Sequence, residues 1–114
     1  MSDLARLGTR LEGSLLLATV AGEIDMSNAV ELESALVDAM KGSTGVVLDL
    51  SGVTFIDSAG VRLLDHLVVA AEPETPIRVV TASAGPVPFT LRLCGFREDL
   101  LAPTMTDAIH SLES

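Results

Sequence analysis

Residues 46–64 read VVLDLSGVTFIDSAGVRLL, and this stretch decides the fold. Val46, Val47, Leu48 and Leu50 form a short apolar run broken only by Asp49, the pattern of a buried strand. Ser51-Gly52 follows with turn chemistry, so the strand is expected over 46–50. A tight connection through Val53, Thr54, Phe55 and Ile56 comes next. Asp57-Ser58-Ala59-Gly60 then opens a helix, because an Asp or Ser oxygen accepts from the free N–H groups of a first helical turn. That helix should run from 59 to about 71. Val61, Leu64, Leu67, Val68 and Ala71 form its apolar stripe, with Arg62, Asp65, His66 and Val69 on the opposite side. The corner therefore places the Ser58 hydroxyl at the tip of a helix, within reach of solvent.

Upstream, Leu7, Thr9 and Leu11 alternate with Arg6, Gly8 and Arg10, which predicts an edge strand at about 5–11. Glu12-Gly13 can turn the chain into a nearly all-apolar second strand at 14–21, antiparallel to the first. Gly22-Glu23-Ile24-Asp25 is expected to leave the sheet. Ser27 or Asn28 then caps a helix running to about 40, with Ala29, Leu32, Leu36 and Ala39 on one face.

Downstream, Pro73 and Pro76 bracket a loop, and a short strand is expected at 77–81. Gly85, Pro86 and Pro88 break it and start a helix with Val87, Leu91 and Cys94 on one face, ended by Gly95. Residues 97–103 form a loop with a brief strand near Leu100, and Thr106-Asp107 caps a last helix carrying Ile109 and Leu112. The order β-β-α-β-α-β-α-α describes an α/β domain whose helical crossovers make the later strands run parallel, while the N-terminal hairpin makes the sheet mixed.

The 114 residues suit one domain, and 48% hydrophobic content suits a folded chain. No apolar run approaches the ~20 residues that cross a bilayer. The opening MSDLARLGTR has no apolar core of a secretory signal, and one cysteine forms no internal disulfide. A cytoplasmic protein is the expectation. The net charge of −9 argues against nucleic acid, whose phosphates reward Lys and Arg, and favours solubility. His66 and His110 have no Cys or His cluster around them, so no metal or other cofactor is expected. Cys94 reads as a small buried hydrophobe, and the chain as a monomer or weak dimer.

Ser58 admits two readings: a plain helix cap, or a hydroxyl that is modified. Phosphorylation adds nearly two negative charges, which helix N–H groups tolerate within the protein but which repel a nearby carboxylate and obstruct a docked partner. Asp25 reads as a turn residue or cap before the first helix.

The stretch at 46–64 resembles the signature of the STAS domain, in particular of bacterial anti-sigma factor antagonists. LLLATVAGEIDMSNAVELESAL, from Leu15, resembles that family's strand, Gly-Glu-Leu-Asp corner and first helix. VPFTLRLCGFREDLL, from Val87, resembles its late helix. The resemblance covers nearly the whole chain, in order and spacing. It implies a single STAS-like domain over 1–114, a mixed sheet of four to five strands with about four helices mainly on one face. It further implies a partner switch. The unphosphorylated antagonist binds an anti-sigma factor and so releases a sigma factor. The anti-sigma factor is also a serine kinase that holds ATP and phosphorylates the serine matched by Ser58, and a PP2C-type phosphatase restores the hydroxyl. Asp25 matches the corner aspartate, so Asp25, Asp57 and Ser58 are expected to form one acidic patch. Ala59, Gly60, Arg62, His66 and Val69 extend the expected partner-binding surface along the helix.

A serine-nucleophile enzyme is disfavoured: no Gly-Xaa-Ser-Xaa-Gly elbow is present, and His66 lies ~12 Å from Ser58 by helical rise. A small-ligand sensor lacks visible pocket chemistry. STAS domains also serve lipid-transport ABC complexes and stress-signalling assemblies; a serine at the corner favours the antagonist over those.

Overall fold

The computed structural model describes residues 5–71 and 74–113, and the apolar run at 46–50 lies at the centre of its sheet. In chain order the elements are β1 (Ala5–Glu12), β2 (Leu15–Ile24), α1 (Ala29–Met40), β3 (Gly45–Ile56), α2 (Ser58–Ala71), β4 (Ile77–Val80), α3 (Pro86–Leu93), β5 (Leu101–Ala102) and α4 (Met105–Glu113). The five strands stand side by side in sequence order, β1-β2-β3-β4-β5. β1 and β2 are antiparallel and the remaining pairs parallel. The mixed α/β sheet with four helices is as expected. Pro73 and the first four residues lie outside the described residues.

β3 is apolar nearly throughout its first half because both of its faces are covered. Val46, Leu48 and Leu50 face a core built with Leu16, Ala18, Val20, Leu32, Leu36, Leu64, Leu67 and Leu91, so α1, α2 and α3 share this side. Val47 faces the other way, with Leu17, Val80 and Ala108, and there α4 lies alone with Met105, Ile109 and Leu112. Side chains of successive strand residues point to opposite faces, so an apolar residue at each position is required when helices lie on both.

β3 is longer than the sequence pattern indicates. Val53–Ile56 is not a connection; it continues the strand beside β2, which itself runs on through Gly22, Glu23 and Ile24. Two register shifts make this possible. Thr19 pairs with Asp49 but Ala21 with Gly52, and Gly22 pairs with Val53 but Glu23 with Phe55, so β3 carries an extra residue each time. Ser51 sits in the first bulge, where its N–H and hydroxyl both donate to Asp49 Oδ1. Gly22 has φ 100°, a backbone that side chains disfavour, at the second. Turn-forming residues here bend a strand instead of ending it. β4 pairs with β3 only as far as Asp49, so the last part of β3 extends past its β4 partner.

Two ends also differ from the sequence pattern. α4 begins at Met105, capped by Thr104 Oγ1, which accepts from Asp107 N at 3.1 Å. Cys94 is exposed rather than buried, because α3 ends at Leu93. Past it, Gly95 at φ 75° lets Phe96 N donate to Leu91 O and Gly95 N to Arg92 O, and Phe96 rather than Cys94 joins the core. Beyond that turn, the side-chain hydrogen bond from Arg97 holds the exposed Asp99 carboxyl below its usual range.

Candidate functional site

Pairing of Ile24 with Ile56 ends β2 and β3 side by side, so the two corners that follow, 25–28 and 57–60, adjoin. Asp57 ties them together. Its N–H donates to Ile24 O at 3.2 Å. Its Oδ1 accepts from Gly60 N at 3.1 Å, capping α2, and its Oδ2 accepts from Met26 N at 3.3 Å in the other corner. Both carboxylate oxygens are therefore engaged.

Ser58 is the first residue of α2 and is exposed. Its neighbour does the capping, which leaves the hydroxyl at the surface above the helix N-terminus. An anion there meets the positive end of the helix dipole.

Asp25 is half-buried. Its Oδ1 accepts from Ser27 N at 2.9 Å and from the Ser27 hydroxyl, and its backbone oxygen accepts from Asn28 N and Ala29 N. Asn28, at 1% exposure, makes no side-chain cap to α1. Its Oδ1 accepts from Asp25 N at 3.1 Å and its Nδ2 donates to Glu23 O at 2.9 Å. Asn28 thus holds the corner from beneath, a role that its place in the sequence shares with ordinary helix caps.

Gly60 stands apart from the other residues of the expected surface. It is buried and offers a partner no side chain; its role is close packing. A Cβ there would lie 2.5 Å from Ile56 Cγ1 and 3.0 Å from Ile24 Cγ2. Ala59 is half-buried, and Arg62, His66 and Val69 are exposed on the outer side of α2.

Arg62 and His66 face a groove that the sequence does not announce. Its walls are Met26, Ala29, Val30 and Glu33 from the first corner and α1, and Ala59, Arg62, Leu63 and His66 from α2; it holds about 300 Å³. His66 Nδ1 lies 3.3 Å from Glu33 Oε1 across it. Met26 is 80% exposed and Val30 79%, both on this groove, while Val69, 77% exposed, lies farther along α2 and outside it. Large apolar side chains left that open in a cluster mark an interaction surface more often than a ligand cavity. Val30 could have been found as Val69 was, being apolar between Ala29 on the core side and the polar Glu31. Among the described residues no three His, Cys, Asp or Glu gather as a metal site, and no helix is long and apolar enough to cross a membrane.

The family described as STAS domain matches residues 8–111. No curated protein matches the chain in sequence. Among solved structures, an anti-sigma factor antagonist from Mycobacterium paratuberculosis matches at 27% identity with a TM-score of 0.90, over 100% of this chain and 98% of its own. The anti-sigma factor antagonist SpoIIAA in its unphosphorylated form matches at 16% identity with a TM-score of 0.71, over 95% of this chain and 96% of its own. The murine Solute Carrier 26 family member A9 anion transporter matches at 16% identity with a TM-score of 0.73, over 91% of this chain but 18% of its own. The last two share the fold.

Proposed function

The chain belongs to the STAS domain family, and from that premise we propose that it is an anti-sigma factor antagonist switched by phosphorylation of Ser58. The observation that carries this reading is the exposed Ser58 hydroxyl at the first position of α2, with the capping done by Asp57. The full-length likeness to an antagonist at 27% identity supports the class.

In this reading the unphosphorylated corner is the docking surface. Asp25, Asp57 and Ser58 present the acidic rim, while Met26, Val30, Ala59 and Val69 supply apolar contact, flanked by Arg62 and His66. A basic, partly apolar patch on an anti-sigma factor with serine kinase activity complements it. The kinase transfers the terminal phosphoryl group of its own bound ATP to Ser58 Oγ; the hydroxyl loses its proton and ADP leaves. The phosphoserine gains stabilisation from the α2 N–H groups, so the fold survives. Against a docked partner it is bulky and heavily hydrated, so docking over it would have to strip water from a dianion in a seam shaped for a hydroxyl. Affinity should fall by about a hundredfold. A PP2C-type phosphatase that removes the group resets the switch. The protein supplies no ATP site and performs no step of its own; its medium is the cytoplasm, where sigma factors act.

The test uses the host's anti-sigma kinase, recovered on the immobilised chain without ATP. Adding ATP should release it, with the mass of one phosphoryl group gained at Ser58. Ser58→Ala should stay bound and unmodified, and Ser58→Asp should weaken binding by calorimetry. Unchanged affinity of Ser58→Asp, together with phosphorylation elsewhere, would sink the reading.

A further inference from the structure

β1 is the edge of the sheet, and among the described residues nothing pairs with its outer side along Ala5–Glu12. Such an edge is a template for another strand unless a proline, a bulge, a cover or repelling charges protect it, and the charges of β1, Arg6, Arg10 and Glu12, are of both signs. β1 has no proline, and its pairing with β2 runs from Ala5 to Glu12 without a register shift. Leu11 is 66% exposed on it. The residues of this edge fit one occupant: the same strand of a second copy. We propose that two copies of this chain pair antiparallel through β1, about a two-fold axis at Thr9, into one ten-stranded sheet.

Backbone geometry limits the choices first. A two-residue loop, Gly13-Ser14, closes on the Glu12–Leu15 pair; Gly13 has φ 62° and Ser14 does not have positive φ, the pattern of a type II′ hairpin turn. In that turn the closing pair exchanges its backbone hydrogen bonds. Glu12, Arg10, Gly8 and Arg6 therefore direct their N–H and C=O groups at β2. Leu11, Thr9 and Leu7 direct theirs at the open edge. In an antiparallel pair, bonded residues must oppose bonded residues, so odd positions must face odd positions.

Side chains then select one register. With Thr9 opposite itself, Leu7 lies opposite the second copy's Leu11, and Arg6 lies opposite the second copy's Glu12. Two-fold symmetry gives each contact twice. One face gains two Leu–Leu pairs and a Thr–Thr pair, the cross-strand pairings that stabilise sheets. The other gains two Arg–Glu pairs. Sliding by one step of two-fold symmetry towards the N-terminus brings Arg6 opposite Arg10; sliding the other way brings Arg10 opposite itself. Both place like charges across the seam. The exposed Leu11 is covered only against Leu7 in the favoured register, and Leu7 is already half-buried beside the core.

The interface is narrow, and each copy carries a net charge of −9, so association is weak and depends on screening. The switch corner is untouched. Ser58 follows the far end of β3, whereas Thr9 pairs with Ala18 midway along β2. The dimer would display two independent corners.

Sedimentation of the full chain at physiological salt, from micromolar to millimolar concentration, should show a monomer–dimer equilibrium. Arg6→Glu alone and Glu12→Arg alone should each weaken it by about tenfold or more, since each turns two attractive pairs repulsive. An equimolar mixture of the two variants should regain it, because every seam pair is then Glu–Arg. In a Cys94→Ser background, Thr9→Cys should cross-link on oxidation faster than Leu11→Cys. A strict monomer throughout, single variants that dimerise like the native chain, a mixture that does not recover, or Leu11→Cys linking as fast as Thr9→Cys each overturn the proposal.

Discussion

Asn28 and Asp57 show how a few polar side chains fix the geometry of the corner. Asn28 is buried beneath it and satisfies Asp25 N and Glu23 O at once. Removing the amide takes a partner from two backbone groups in a place water reaches poorly, at ~1–3 kcal/mol for a buried group left unpaired. Asn28→Ala should therefore lower the unfolding free energy by about 2 kcal/mol or more in urea, with an unchanged slope. A loss under ~0.5 kcal/mol would mean that water replaces the amide. Asp57 and Ser58 were legible from the sequence as a capped helix start. Which of the two does the capping was not, because either oxygen type can accept from the first turn. Asn28 was legible only as a cap, since burial of one amide leaves no periodic trace. Gly60 was drawn into the partner surface by its place in the motif, although what it provides is room.

That room belongs to the packing of α2 onto β3. Alanine is normally better than glycine within a helix by about 1 kcal/mol. At Gly60 the new methyl would sit 2.5 Å from Ile56 Cγ1, on the strand that leads into the same helix. Ile56 cannot retreat without moving Ile24 beside it. Gly60→Ala should therefore destabilise by about 1–3 kcal/mol despite the propensity gain, read as a lower urea midpoint. A stabilised variant would show that α2 slides freely on its strand. The same elements mark what pattern alone could give. The first half of β3 was legible because both faces are covered and, Asp49 apart, its positions after Gly45 are apolar. Its second half was not: Ser51-Gly52 and Gly22 serve as bulge residues, and turn chemistry reads the same whether the chain leaves the sheet or only bends. α3 shows the reverse case. Gly95 marked its end correctly, but the core residue of that turn is Phe96, one step beyond, while Cys94 faces water.

For the whole molecule, the order of elements predicted the sheet, because crossovers through helices leave a small chain few other arrangements. The separation of α4 from the other helices was less visible: Ile109 and Leu112 declare an apolar stripe but not which face of the sheet takes it. Charge acts at this scale too. A net −9 spread over a chain with an acidic corner should speed encounter with a basic partner. Raising ionic strength from about 0.05 to 0.5 M should slow association with the proposed anti-sigma kinase by about tenfold and change dissociation far less, as read by surface plasmon resonance. Salt-insensitive association would assign recognition to Met26, Val30 and Val69 instead.

The part of β3 beyond its β4 partner makes the corner a cantilever. It is a short beam clamped in a close-packed slab: β1 accompanies β2 as far as Gly22, so only Glu23 and Ile24 with Phe55 and Ile56 run as two strands, just past the second inserted residue. Load applied at the tip can flex the beam while the slab stays rigid. A docking protein can thus reshape its own landing place without melting the sheet, while β1, paired with β2 up to Gly22, stands at the root of that beam.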